Sequence, residues 1–117
     1  MKFQATLHTD GNGLWSGKNK MVQIHKLELG YTCTDLGHEF GELRVYFTKK
    51  SWNPEKDGLI YTDPKFMTEL RKALVDAGFT KAAAKDVSYS EQGMQGDDYV
   101  SCDVTKPFLN SWFSLNQ

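Results

Sequence analysis

Residues 86–104 constrain this chain most tightly, because two runs of alternating side chains flank one turn and admit a single register. Val87 and Tyr89 alternate with Ser88 and Ser90, and Val100, Cys102 and Val104 alternate with Tyr99, Ser101 and Asp103. Gly93-Met94-Gln95-Gly96 lies between the two runs. A four-residue turn there pairs Val87 with Cys102 and Tyr89 with Val100 on an apolar face. It pairs Ser88 with Ser101 and Ser90 with Tyr99 on a polar one, so a side-chain period of two is satisfied on both strands. The same register sets Asp86 opposite Asp103 and Glu91 opposite Asp98. Like charges facing each other across a ladder oppose pairing. The acidic side chains of this predicted hairpin therefore point to a use other than its own stability.

The other segments read as strands first and helices after. Lys2 to His8 alternates, with Phe3, Ala5 and Leu7 on one face. Thr9 to Lys20 holds Gly11, Gly13 and Gly17 and reads as a loop. Val22 to Thr34 is a long strand whose apolar phase slips from even positions (Val22, Ile24) to odd ones (Leu27, Leu29, Tyr31, Cys33), which predicts a bulge near His25-Lys26. Gly37 and Gly41 bracket a turn before a third strand, Glu42 to Thr48. A polar loop ending at Asp57-Gly58 leads into a short apolar strand, Leu59-Ile60-Tyr61.

A helix over about 63–77 is the best-marked element, with Asp63 as N-cap and Pro64 at the first helical position. Phe66, Met67, Leu70, Ala73, Leu74 and Ala77 form its apolar stripe, and Gly78 with Phe79 predicts a Schellman cap. Thr80 to Lys85 adds a helical turn. Phe108, Leu109, Trp112, Phe113 and Leu115 recur at helical spacing and predict a short C-terminal helix that closes the core, or else pairs with a second copy in a homodimer. Strands clustered as hairpins around a helix make an α+β fold. The expectation is one domain, 1–117, in which an antiparallel sheet of about five strands carries the main helix and the short C-terminal helix on one face.

Composition excludes several classes. A chain of 117 residues with 25% charged residues and a net charge of −1 is neither disordered nor a polyelectrolyte. Near-neutral charge argues against nucleic-acid binding by overall positive charge, though it leaves a local patch open. No apolar run reaches the length of a membrane span, and residues 1–10 lack the pattern of a signal peptide, so the expected address is the cytoplasm with no membrane partner. Cys33 and Cys102 both fall in apolar strand phase and read as reduced core thiols.

Candidate chemistry is sparse. Gly13-Leu14-Trp15-Ser16-Gly17-Lys18 resembles a phosphate loop, but its spacing is one residue short and Asn19 stands where a magnesium-ligating hydroxyl belongs. The segment reads as a turn, and no cofactor is expected. His8, His25 and His38 share no metal-ligand spacing. No serine or cysteine lies in a nucleophile elbow. Asp86 and Asp103 on the hairpin, with Glu91, Asp97 and Asp98 near its tip, could hold a divalent cation for phosphodiester hydrolysis. The plainer reading is a solvated acidic edge neutralised by Lys81 or Lys85. Arg44-Val45-Tyr46-Phe47-Thr48-Lys49-Lys50-Ser51-Trp52 is the best nucleic-acid candidate, because Arg44 and Tyr46 share the outward face of a strand beside two lysines and a loop tryptophan.

Trp15 and Trp52 both fall in predicted loops, where displayed aromatics anchor protein interfaces. The leading expectation is a small accessory protein without catalytic or metal-binding residues, a regulator or inhibitor that binds a protein partner. Its expected contacts are Trp15, Trp52 and the hairpin residues Met94, Gln95, Asp97 and Asp98. The alternatives are a nucleic-acid-binding domain using Arg44, Tyr46, Lys49, Lys50 and Trp52, and a metal-dependent phosphodiesterase or nuclease with Asp86 and Asp103 as ligands.

Overall fold

The protein is described here by a computed structural model covering residues 2–5, 13–33, 39–90 and 95–115. The chain runs β1 (Lys2–Ala5), β2 (Leu14–Trp15), β3 (Met21–Val22), β4 (Ile24–Cys33), β5 (Glu39–Phe47), α1 (Pro54–Asp57), a 3-10 turn (Ile60–Thr62), α2 (Pro64–Asp76), α3 (Lys81–Asp86), β6 (Ser88–Tyr89), β7 (Tyr99–Thr105) and α4 (Lys106–Leu115). Five strands form one antiparallel sheet in the order β1-β4-β5-β7-β6, and β2 and β3 form a separate hairpin. This is the α+β architecture expected from the sequence.

Period-two alternation puts Leu27 and Leu29 of β4, Leu43 and Val45 of β5, and Val100, Cys102 and Val104 of β7 on one buried face. Phe66, Leu70 and Leu74 of α2, Ala83 and Ala84 of α3, and Phe108, Leu109 and Trp112 of α4 pack onto it in one core. Gly41 seats α4. A Cβ there would stand 2.8 Å from the Gly30 carbonyl oxygen of β4, and 3.2 and 3.3 Å from methyls of Leu29 and Leu109, so the backbone of the neighbouring strand requires glycine and the helix packs closely over it.

Local signals were honoured where they were strong. Asp63 caps α2, its Oδ1 accepting from the amides of Lys65 and Phe66 at 3.0 and 3.3 Å. At the other end Gly78 has φ +111°, and the amides of Phe79 and Gly78 donate to the carbonyls of Leu74 and Val75, both at 3.0 Å, which completes the Schellman cap. The bulge also falls where the phase slips: the β4–β5 register shifts between Ile24 and Lys26, leaving His25 as the extra residue. The C-terminal helix closes the core through Phe108, Leu109 and Trp112, which are fully buried, while Leu115 at its end is exposed.

Three expectations are corrected. Leu59-Ile60-Tyr61 is no strand; Ile60 to Thr62 forms a 3-10 turn whose Thr62 amide bonds the Leu59 carbonyl at 3.2 Å. The predicted second strand is divided, Met21–Val22 pairing back on Leu14–Trp15 while β4 begins at Ile24. The β6–β7 register is displaced by two residues: Ser88 pairs with Asp103 and Tyr89 with Cys102. A slip of two preserves the faces, which is why alternation alone could not distinguish the registers. The turn residues Gly93 and Met94 lie outside the described residues.

Candidate functional site on the open sheet face

The face of the sheet turned away from the helices carries the alternate residues of the same strands. Lys26 pairs with Tyr46 and Tyr46 with Tyr99 in one row across β4, β5 and β7; Glu28, Arg44 and Ser101 make the next row, and Gly30, Glu42 and Asp103 the one after. No described helix covers this face. An antiparallel sheet tolerates one solvated side, but the first row is not an ordinary polar surface.

Its aromatic rings and cations are locked together. Tyr46 and Tyr99 sit with ring centroids 5.5 Å apart. The Lys26 ammonium lies 4.3 Å from the Tyr46 centroid and the Arg44 guanidinium 4.5 Å from that of Tyr99, both within cation–π range. The bulge turns His25 alongside, 6.0 Å from Tyr46. Arg44 Nε also donates to Glu42 Oε1 at 2.5 Å. Hydrogen bonding to Tyr46, and then to Glu42, pushes the Arg44 pKa further above its ordinary value, so its charge is permanent. Arg44 and Tyr46, named from sequence, are joined here by Tyr99, Lys26 and His25, which sequence reasoning missed. Tyr99 was assigned only to hairpin pairing, and Lys26 only to the bulge. The available signal was the shared outward phase of residues 44, 46 and 99, readable once β5 and β7 are known to be neighbours.

The remaining sequence candidates divide. Lys49 and Asp97, assigned from sequence to separate surfaces, form an exposed ion pair at 3.7 Å beside this row, and the Phe47 amide donates to the Asp98 carbonyl at 2.8 Å. Exposed pairs of this kind contribute little stability, so they mark proximity rather than strength. Lys50 and Asp98 are exposed. Trp15 is 44% exposed, on the β2–β3 hairpin that leans on α2. Met94 lies outside the described residues. Gln95 serves the fold, its Oε1 accepting from the Ile60 amide at 2.7 Å.

Trp52 is a correction. It is 1% exposed, with Nε1 donating to the Gly58 carbonyl at 2.9 Å and the Lys18 and Lys20 ammonium groups 5.9 and 5.8 Å from the ring centroid. A loop tryptophan was expected at the surface; the loop instead folds back to α1 and buries it. The ring is therefore not displayed at the surface as expected.

Asp86 and Asp103 are not opposite each other. Asp86 ends α3 and caps the next helix: its Oδ2 accepts from the amides of Thr105 and Phe108 at 2.6 and 3.3 Å, and its Oδ1 from the Thr105 hydroxyl at 2.6 Å. The carboxylate expected to oppose Asp103 satisfies orphan donors at the start of α4. Among the described residues no group of three or more His, Cys, Asp or Glu side chains is placed to hold a metal ion. The glycine-rich segment is a turn, with Ser16 Oγ accepting from the Lys18 and Lys20 amides and the Gly17 amide donating to Asp63 Oδ2 at 2.7 Å. Cys102 is a buried thiol, pushed up to about 12 by desolvation.

No family model, curated protein or solved structure gives a significant match to this chain. Among the described residues no helix is long and apolar enough to cross a membrane. The reading of the site rests on its own geometry.

Proposed function

We propose that this chain is a non-catalytic interaction domain that binds a protein partner through the open face of its sheet, acting by occupation as a regulator or inhibitor does. The observation that carries the reading is the cluster made by the Lys26, Tyr46 and Tyr99 row with Arg44 of the next row, its rings and cations held in mutual contact. Tyr and Arg dominate the energetic centres of protein interfaces. Side chains already fixed by their neighbours lose less entropy on binding. A protein is favoured over a nucleic acid because Glu28, Glu42 and Asp103 occupy the adjoining rows and would repel phosphates. The ring faces that would stack on bases are also taken by Lys26 and Arg44.

The test is affinity capture from a lysate of the source cells, with and without nuclease treatment, comparing the native chain with an Arg44→Ala/Tyr46→Ala/Tyr99→Ala variant of matched thermal stability. A protein retained by the native chain and lost by the variant supports the reading. Capture that the variant leaves unchanged overturns it. So does capture that nuclease abolishes and that weakens steeply with salt, which marks phosphate contacts.

A further inference from the structure

A second surface lies on the helical layer. Arg71, Lys72, Val75 and Asp76 of α2 and Lys81, Ala84 and Lys85 of α3 line an open groove of about 370 Å³. Spacings of three and four repeat on both helices, so each presents small apolar residues to the floor and long cations to the rim. Val75 is exposed, with no aromatic side chain among the lining residues.

Charge singles this groove out. Four cations against one carboxylate leave three net positive charges here, in a chain whose net charge is −1; the remainder therefore carries −4. Lys81 or Lys85 was expected to neutralise Asp86 and Asp103, but the Asp86 carboxylate is directed to the amides of Thr105 and Phe108 and the Thr105 hydroxyl. Among the described residues Lys72, Lys81 and Lys85 form no ion pair. Arg71 is held in place, Nε and Nη2 both donating to the Val87 carbonyl at 3.1 and 2.9 Å.

We propose that the groove between α2 and α3 docks an acidic peptide segment of a protein partner. Its carboxylates pair with Lys72, Lys81 and Lys85, and an apolar side chain between them rests on Val75 and Ala84. Charge complementarity chooses the sign of the occupant. The apolar floor chooses its chemistry: a phosphate backbone would use the lysines and leave Val75 and Ala84 without contacts, and single-stranded nucleic acid prefers aromatic platforms that the groove lacks. The pairing mode is that of an amphipathic helix laid in a groove. This proposal stands apart from the sheet-face reading, since the two surfaces share no residue.

Fluorescence anisotropy with a labelled synthetic helix of about 14 residues, built from Glu, Ala and Leu with one Leu face flanked by Glu, tests it directly. Saturable binding is expected, weakened at least about tenfold by Lys72→Glu/Lys81→Glu/Lys85→Glu. Val75→Asp should also weaken it, whereas Lys49→Glu/Lys50→Glu and Arg44→Ala/Tyr46→Ala/Tyr99→Ala should not. The same peptide with Gln for Glu should bind poorly. Absence of saturable binding overturns the proposal, as does binding indifferent to the groove substitutions. Tighter binding of an oligothymidylate of about 15 nucleotides, or of phosphatidylserine vesicles, at the same lysines also overturns it and assigns the groove to those ligands.

Discussion

Trp52 provides the sharpest test of where the core ends. Trp52→Ala removes an indole that is 1% exposed and packed in the same core as the sheet. Truncating a buried aromatic to alanine costs about 3–5 kcal/mol, the spread reflecting how far the cavity collapses. The lost Nε1 bond ends on the carbonyl of Gly58, an exposed residue, so water replaces much of it and it adds less than about 1 kcal/mol. With an unfolding entropy near 2.1 cal/mol/K per residue, this chain of 117 residues loses about 4 °C in Tm per kcal/mol. Trp52→Ala should therefore melt about 12–20 °C below the native chain. Trp52→Phe loses the donor and the five-membered half of the indole, together about 1–2 kcal/mol, and should melt about 4–8 °C below it. Thermal unfolding followed by circular dichroism measures both. Capture of the partner at temperatures where the alanine variant is still folded should match the native chain. A melting point within about 4 °C of native for Trp52→Ala refutes the burial argument, and loss of binding by the folded variant restores Trp52 as a contact.

Asp86→Ala leaves the amides of Thr105 and Phe108 and the Thr105 hydroxyl without their shared acceptor; urea unfolding should show a loss of about 2–3 kcal/mol, and a change under about 0.5 refutes the capping role. Cys102, its pKa pushed up to about 12 by burial, should resist a disulfide reagent at mildly alkaline pH in a Cys33→Ser background and react on addition of guanidinium; labelling of the native protein contradicts the assignment. Asp57 accepts from the Asn53 amide at 2.8 Å and from Lys20 Nζ at 2.6 Å, and the Asn53 bond first, then Lys20, holds its pKa below the usual carboxylate value. A depressed folded-state pKa adds stability that is complete above the unfolded value near 4 and fades as pH falls through the folded one, so Asp57→Asn should lower stability at neutral pH and flatten the acid limb. Parallel acid limbs for the two proteins rule this out.

The candidate sites were legible only in part. Outward phase on one strand identified Arg44 and Tyr46, because alternation is local. Their companions Tyr99 and Lys26 come from other strands, and the pairing of β5 with β7 spans three of the four helices. The acidic hairpin failed as a site for a related reason. A displacement of two residues costs alternation nothing, and the donors at the start of α4 decided where the Asp86 carboxylate went. The groove lysines carried no motif, since a cation is notable only when its expected partner is engaged elsewhere.

By itself the sequence determined the elements whose cause lies within a few residues: the Asp63 cap, the Gly78 stop, the bulge at His25 and the alternating strands. It also determined that these must form an antiparallel sheet with helices on one side. Tertiary structure alone decided the β6–β7 register, the burial of Trp52, the conversion of residues 60–62 to a 3-10 turn and the grouping of charges into two surfaces. The physical reason is range. Capping and pleating satisfy backbone groups locally, whereas register and burial are settled by core packing, in which several local arrangements of equal quality compete and the one that leaves fewest donors and apolar groups in the wrong place prevails.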